Sequence, residues 1–107
     1  MSGESLKGHL DLLLLAALRG GPAHGYAIIE ELRRRSGGTF DLPEGTIYPA
    51  LHRLERQRLL ESEWSDASGR RRRVYRLTAR GHRALGEKAK AWRHFTRGMS
   101  GALEGAT

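Results

Sequence analysis

After Arg58 the spacing of the apolar residues changes, and this change limits the folds open to the chain more than any other feature of it. Up to that point apolar residues recur three or four apart, the spacing of helices that bury one face. The next two runs, Leu59–Trp64 and Arg72–Leu77, are short and rich in strand formers. Between them lies Ser65-Asp-Ala-Ser-Gly-Arg70, a run of turn residues, so the pair reads as a hairpin. Beyond Thr78 the helical spacing returns as a seven-residue repeat: Leu85, Trp92 and Met99, with Ala89, Thr96 and Leu103 interleaved. Such a repeat is the seam of a coiled coil rather than the edge of a small globule. The order is therefore helix, helix, helix, hairpin, long helix.

The punctuation agrees with this order. A first helix is expected over residues 4–19, with Leu6, Leu10, Leu13, Leu14, Ala17 and Leu18 on one stripe and Leu12 and Leu15 apolar on the other side. A helix greasy on most of its circumference needs cover on two sides, once in its own domain and once elsewhere. Gly20-Gly21-Pro22 ends it. A second helix runs from about Ala23 or His24 to Ser36, with Tyr26, Ile29 and Leu32 inward, Ile28 beside them, Tyr26 expected in the core or at an interface, and Arg33-Arg34-Arg35 in the last turn, where positive charge suits the helix dipole. The third carries Ile47, Leu51 and Leu54 toward the core. Its opposite stripe, Pro49, His52 and Arg56, is flanked by Arg53 and Tyr48 and has no carboxylate at its centre. Pro49 is expected in or near the first turn, because deeper it removes a backbone hydrogen bond. Thr78 is placed to cap the last helix, roughly 79–103, whose final turns are expected to fray at Gly98 and Gly101. Trp64, closing the first strand of the hairpin, is expected to pack against the domain.

At 107 residues the chain makes one folding unit with a modest core, a size at which a partner copy is a reasonable expectation. The division expected within it is 1–77 for the helices and hairpin and 78–107 for the last helix. No cysteine is present, which removes disulfides, thiol catalysis and thiolate metal sites together. The apolar run near the start is interrupted by His9 and Asp11 and is too short for a bilayer, so a cytoplasmic protein with no membrane association is expected. The formal charge is +7, and sixteen of the nineteen basic residues are arginine. Arginine's planar fork of donors suits phosphate oxygens and guanine edges better than the lysine point charge does. A polyanionic partner follows, most simply double-stranded DNA.

These parts make the layout of a winged helix-turn-helix: mainly α with a two-stranded β-wing, plus a long C-terminal dimerisation helix. In such folds one helix enters the major groove and the hairpin touches the flanking backbone. Seven arginines, Arg70, Arg71, Arg72, Arg73, Arg76, Arg80 and Arg83, lie within fourteen residues that contain no acid. The stretches LKGHLDLLLLAALRGGPAHGYAIIEEL, LPEGTIYPALHRLERQRLLES and RRRVYRLTARGHRAL resemble, in that order, the PadR family of transcriptional regulators. The likeness extends over about residues 6–85. Its most specific parts are Gly-Pro-X-X-Gly-Tyr opening the second helix and Gly-Thr-Ile-Tyr-Pro-X-Leu opening the third. The single C-terminal helix is similar to that of the family's small subclass.

That resemblance implies that the third helix reads DNA. Thr46, Tyr48 and Pro49 would approach near its start, and His52, Arg53 and Arg56 would line the groove further along, with base reading assigned first to Tyr48, His52 and Arg53. Arg70, Arg71, Arg72 and Arg73 fit phosphate contacts, since consecutive strand residues cannot all reach bases. The resemblance also implies a homodimer, for which Leu10, Leu14, Leu85, Ala89, Trp92, Met99 and Leu103 are the candidates. Some members of the subclass bind planar aromatic compounds through a tryptophan of the last helix. Here that would be Trp92, with Leu12, Leu15 and Phe95. The function implied is a ligand-responsive repressor, with no cofactor required, acting on a palindromic operator.

Other readings stay open. The five histidines show no i, i+4 ligand pair, yet His9, His94 and Asp11 could join across a dimer to bind a divalent metal. A metal-responsive repressor of the same fold, a DNA-architectural protein without sequence preference and a protein-interaction module are the rivals. His24 is expected to make a helix-end hydrogen bond. No enzyme is expected, because no nucleophile elbow occurs and Gly20-Gly21 lacks the Gly-Lys-Ser of a phosphate loop.

Overall fold

A computed structural model describes residues 9–67 and 69–105. In chain order the elements are helix α1 (Leu10–Ala17), strand β1 (Ala23–His24), helices α2 (Gly25–Arg35) and α3 (Glu44–Arg56), strands β2 (Leu60–Ser65) and β3 (Arg72–Leu77), and helix α4 (Ala79–Gly105). The expected first turns at residues 4–8 lie outside the described residues.

The apolar periods meet in one core. Leu14, Leu15 and Leu18 of the α1 segment are buried together with Ile28, Ile29 and Leu32 of α2, Ile47, Leu51 and Leu54 of α3, and Leu60, Tyr75 and Leu77 of the sheet. Leu85 of α4 belongs to the same cluster. Tyr26 does not join it. The ring expected inside is 58% exposed, because Ile28 supplies the inward position on that turn.

Hydrogen bonds at the element ends explain the boundaries. The side chain of His24 caps α2 by accepting from the Ala27 N–H at 3.2 Å, as expected of it. Helix α2 ends with Gly38 N–H on Arg33 O and Gly37 N–H on Arg34 O, the paired bonds of a left-handed stop, and Gly37 takes φ 60°. Helix α3 ends the same way, with Leu59 N–H on Leu54 O and Arg58 N–H on Glu55 O, but Arg58 occupies the left-handed position at φ 62°. Thr78 caps α4: its Oγ1 accepts from Gly81 N–H at 3.0 Å and donates to Arg58 O at 2.7 Å.

Three details of the elements depart from the expectation or add to it. Pro49 is inside α3, in its second turn, rather than at its start; its missing N–H falls opposite Gly45, which is exposed and has open space beside it, so water can serve the freed carbonyl. The wing is the expected two-stranded hairpin, β2 and β3, and a further strand not expected from the sequence joins it. β1 adds to the outer side of β3 to make an antiparallel sheet of order β1-β3-β2, with Ala23 opposite Tyr75 and His24 opposite Val74. Helix α4 runs unbroken through Gly98 and Gly101 to Gly105.

Candidate nucleic-acid interface

The period of α3 decides which side chains it offers. With Ile47, Ala50, Leu51 and Leu54 buried, the outer stripe is Pro49, His52 and Arg56, all exposed. Tyr48 and Arg53 fall on opposite flanks, and both are held by neighbours. Tyr48 is half-buried against the core and lies over Gly25: a Cβ on Gly25 would stand 2.6 Å from Cε1, Cζ and Oη of the ring. Arg53, on the flank turned to α1, forms an ion pair with Asp11. Thr46 is half-buried in the first turn.

β2 pairs with β3 from Leu60 opposite Leu77 to Ser65 opposite Arg72, which puts Ser62, Trp64, Arg73 and Tyr75 on one face and Glu61, Glu63 and Arg76 on the other. The first face looks at α3. There Ser62 Oγ donates to Glu55 Oε2 at 2.5 Å and accepts from Arg73 Nε at 2.8 Å, which fixes the wing against the helix. Trp64 does not pack into the domain as expected. It is 54% exposed, with the guanidinium carbons of Arg71 and Arg73 at 4.7 and 5.3 Å from its ring, an arrangement that attracts cations to the ring face. On the other face Arg76 is bound by Glu61 at 2.9 Å and Glu63 at 3.1 Å.

The arginine-rich stretch is thus divided. Arg72 and Arg73 are half-buried and engaged, whereas Arg70 and Arg71 are exposed and make no ion pair among the described residues. Arg72 meets His24, with Nη1 at 2.6 Å from Nε2. A neutral imidazole has one acceptor nitrogen, so His24 can cap α2 or accept from Arg72, one at a time. Burial first, and the nearby Arg72 charge second, hold its pKa below the usual histidine value.

Together α3 and the wing enclose a trough of about 610 Å³, lined by His24, Tyr26, Glu44, Tyr48, His52, Trp64, Tyr75 and the four arginines Arg70 to Arg73. Among the described residues Glu44 is the one acid on it, in the first turn of α3, where a carboxylate suits the helix dipole. Tyr26, Trp64 and His24 were missed as site residues. Sequence spacing gave Tyr26 an inward phase, and nothing in a six-residue strand says which face will be covered.

The other candidate residues separate into two groups. Leu12, Trp92 and Phe95 do line one cleft, of about 350 Å³, together with His9, Asp11, Lys88 and Ala91. The ring of His9 meets Trp92 edge to face at 4.7 Å, and Trp92 stacks near Phe95 at 5.8 Å. Leu15, expected there, is fully buried in the core instead. His94 does not line the cleft, and no group of three potential metal ligands occurs among the described residues.

Of the residues assigned to a dimer surface, Leu14, Leu85 and Ala89 are buried within the chain itself, and Leu10 is half-buried. Trp92, Met99 and Leu103 are exposed at 40%, 46% and 64%. The seam of α4 is covered by its own domain at one end and bare at the other.

Three helices, an antiparallel wing and a basic trough between them define a winged helix-turn-helix protein. The chain belongs to the PadR-like family of transcriptional regulators, whose model it matches over residues 14–87, a family of regulators and not of enzymes. It is 42% identical over 78 residues to the Transcriptional regulator Rv3488 of Mycobacterium tuberculosis, covering 73% of this chain and 70% of that protein. A PadR family transcriptional regulator of Eggerthella lenta superposes with a TM-score of 0.79 at 37% identity, covering 94% of this chain and 87% of the other. Bacillus subtilis PadR in complex with operator DNA shares the fold, with a TM-score of 0.67 at 23% identity over 75% of this chain and 46% of that one.

Proposed function

We propose that this chain is a sequence-specific DNA-binding repressor that works as a homodimer on a palindromic operator. The observation that carries the reading is the trough between α3 and the wing, where four arginines meet a single carboxylate. Tyr48, His52 and Arg53 of α3 would face base edges, with Thr46 and Pro49 near the helix start and Arg56 further along the groove. Arg70 and Arg71 would take phosphates from the exposed end of the wing. Arg72 and Arg73 would shape the trough more than grip DNA, since both already have partners. The protein would act where its DNA is, in the cytoplasm, and no helix among the described residues is long and apolar enough to cross a membrane.

The second copy follows from α4. Trp92, Phe95, Met99 and Leu103 lie within about a third of its circumference at 100° per residue, continuing the stripe that Leu85 and Ala89 bury against the domain. Four large apolar side chains on one exposed stripe need cover. Pairing two such stripes about a two-fold axis supplies it and presents two α3 helices to successive turns of a duplex. The cleft at Trp92 would then border the interface. A planar aromatic occupant there could regulate binding, provided that its affinity differs between two dimer geometries.

The test is a gel shift with DNA from immediately upstream of the chain's own gene, run beside sedimentation. Arg56→Glu and Arg71→Glu should each abolish the shift while leaving circular dichroism and sedimentation unchanged, and Met99→Glu with Leu103→Glu should give monomers that do not bind. Unaltered binding by the charge reversals would refute the assignment.

A further inference from the structure

Asp11 stands in the first turn of α1, yet its Oδ1 accepts from Nη2 of Arg53, 42 positions away on α3. Most other ion pairs among the described residues are local devices. Arg33, Arg34 and Arg35 pair with Glu30 and Glu31 on their own helix, and Arg76 pairs across the hairpin. Asp11–Arg53, like the longer Arg73–Glu55 pair at 3.7 Å, instead ties the candidate recognition helix to a different element. One turn on from Arg53, Arg56 lies exposed with no ion pair among the described residues. The same helix therefore offers one arginine with its charge compensated and one without.

We propose that Asp11 is a positioning residue which makes Arg53 a reader of bases instead of a binder of phosphate; the inference rests on the DNA-binding reading above. Three physical consequences of the pair support it. First, a compensated guanidinium releases few counterions from DNA, so Arg53 adds little to the sequence-independent part of binding. The adjacent carboxylate also repels phosphate. Secondly, a guanidinium has five N–H donors, and Asp11 takes one of them in this structure. The rest can still meet the O6 and N7 acceptors of guanine, which carry no net charge and are not repelled by the carboxylate. Thirdly, an arginine loses much rotamer freedom when it is fixed in a groove, and Asp11 has imposed part of that order beforehand. The pair is open enough for this work, with side chains 39% and 31% exposed. Arg53 is expected to read a guanine, and Arg56 to bind phosphate.

The experiment is selection from a random duplex library by the wild-type dimer, Asp11→Asn and Arg53→Gln, followed by titration of a random-sequence duplex across a salt series. Asn keeps the shape of Asp and removes its charge. Asp11→Asn is expected to bind the random duplex more tightly, with a log–log salt slope steeper by about 0.9 per protomer. It should also lose discrimination at one position of each half-site, by roughly five- to a hundredfold. Arg53→Gln should relax the same position without steepening the slope, and the double variant should match Arg53→Gln. A pair that served only to hold α1 on α3 would lower the melting temperature of both variants and move neither the slope nor the motif. That result overturns the inference while leaving the DNA-binding reading standing. Should Asp11→Asn fold poorly, Arg53→Gln alone decides, because an unrelaxed motif equally overturns it. A wild-type protein that enriches no motif overturns the underlying reading as well.

Discussion

Gly25→Ala should unseat α3, the proposed recognition helix, through a single methyl group. The new Cβ would stand 2.6 Å from three atoms of the Tyr48 ring, a distance at which one side has to move. Gly25 is in the first turn of α2 and buried, and Tyr48 is packed on the core, so the ring cannot yield without losing contacts. Overpacking of this kind costs about 1–3 kcal/mol. Against it stands the helix preference of Ala over Gly, at most about 1 kcal/mol and less in a first turn. The net expectation is a loss of about 1–2 kcal/mol, or a melting shift of roughly 4–16 °C for a domain of this size. A double-mutant cycle isolates the contact. In a Tyr48→Ala background the ring is gone, and Gly25→Ala should then be neutral or stabilising, giving a coupling of about 2 kcal/mol. Urea titrations of the four proteins at one concentration supply the numbers, with the slopes checked for equality. DNA binding should fall further than stability does, because the displaced ring lines the trough proposed to meet DNA. Equal costs for Gly25→Ala in both backgrounds would refute the reasoning.

Two other outcomes follow from the site. His24 is held below its ordinary pKa by burial and by Arg72, so the unfolded chain takes up its proton first as pH falls. Its stabilising effect is therefore complete above about pH 6.5 and is lost as pH drops toward the folded value. Thermal melts from pH 7.5 to 5 should show this loss, and His24→Asn, which keeps a capping oxygen, should flatten it. On the wing, Arg71→Ala should lower the salt slope of DNA binding by about 0.9 per protomer. Arg76→Ala should leave the slope unchanged, because Glu61 and Glu63 already hold that side chain; anisotropy titrations across a salt series distinguish the two.

Much of this arrangement was legible in the residues, for identifiable reasons. Helical phase placed Ile47, Leu51 and Leu54 inward and His52 and Arg56 outward, and burial agrees at each. Thr78 and His24 cap helices because their side chains are the right acceptors just ahead of helical runs. What could not be read belongs to tertiary structure. A two-residue strand such as β1 has no period. The broad apolar circumference of α1 gave no means of separating Leu14 and Leu15, which the core takes, from Leu12, which borders the cleft. The hold of Asp11 on Arg53 and of Tyr48 on Gly25 joins segments far apart in the chain. Trp64 looked like a core residue by chemistry, and only the register of β2 on β3 sets it beside Arg73.

The central claim is that two copies present α3 and the wing together to one face of a duplex. Hydroxyl-radical footprinting on DNA upstream of the chain's own gene measures this most directly. Two protected patches are expected, related by a two-fold axis and about 10 bp apart centre to centre or a multiple of that, with weaker flanking protection that disappears in Arg71→Ala. A single patch, or protection that is the same on any duplex, would contradict it.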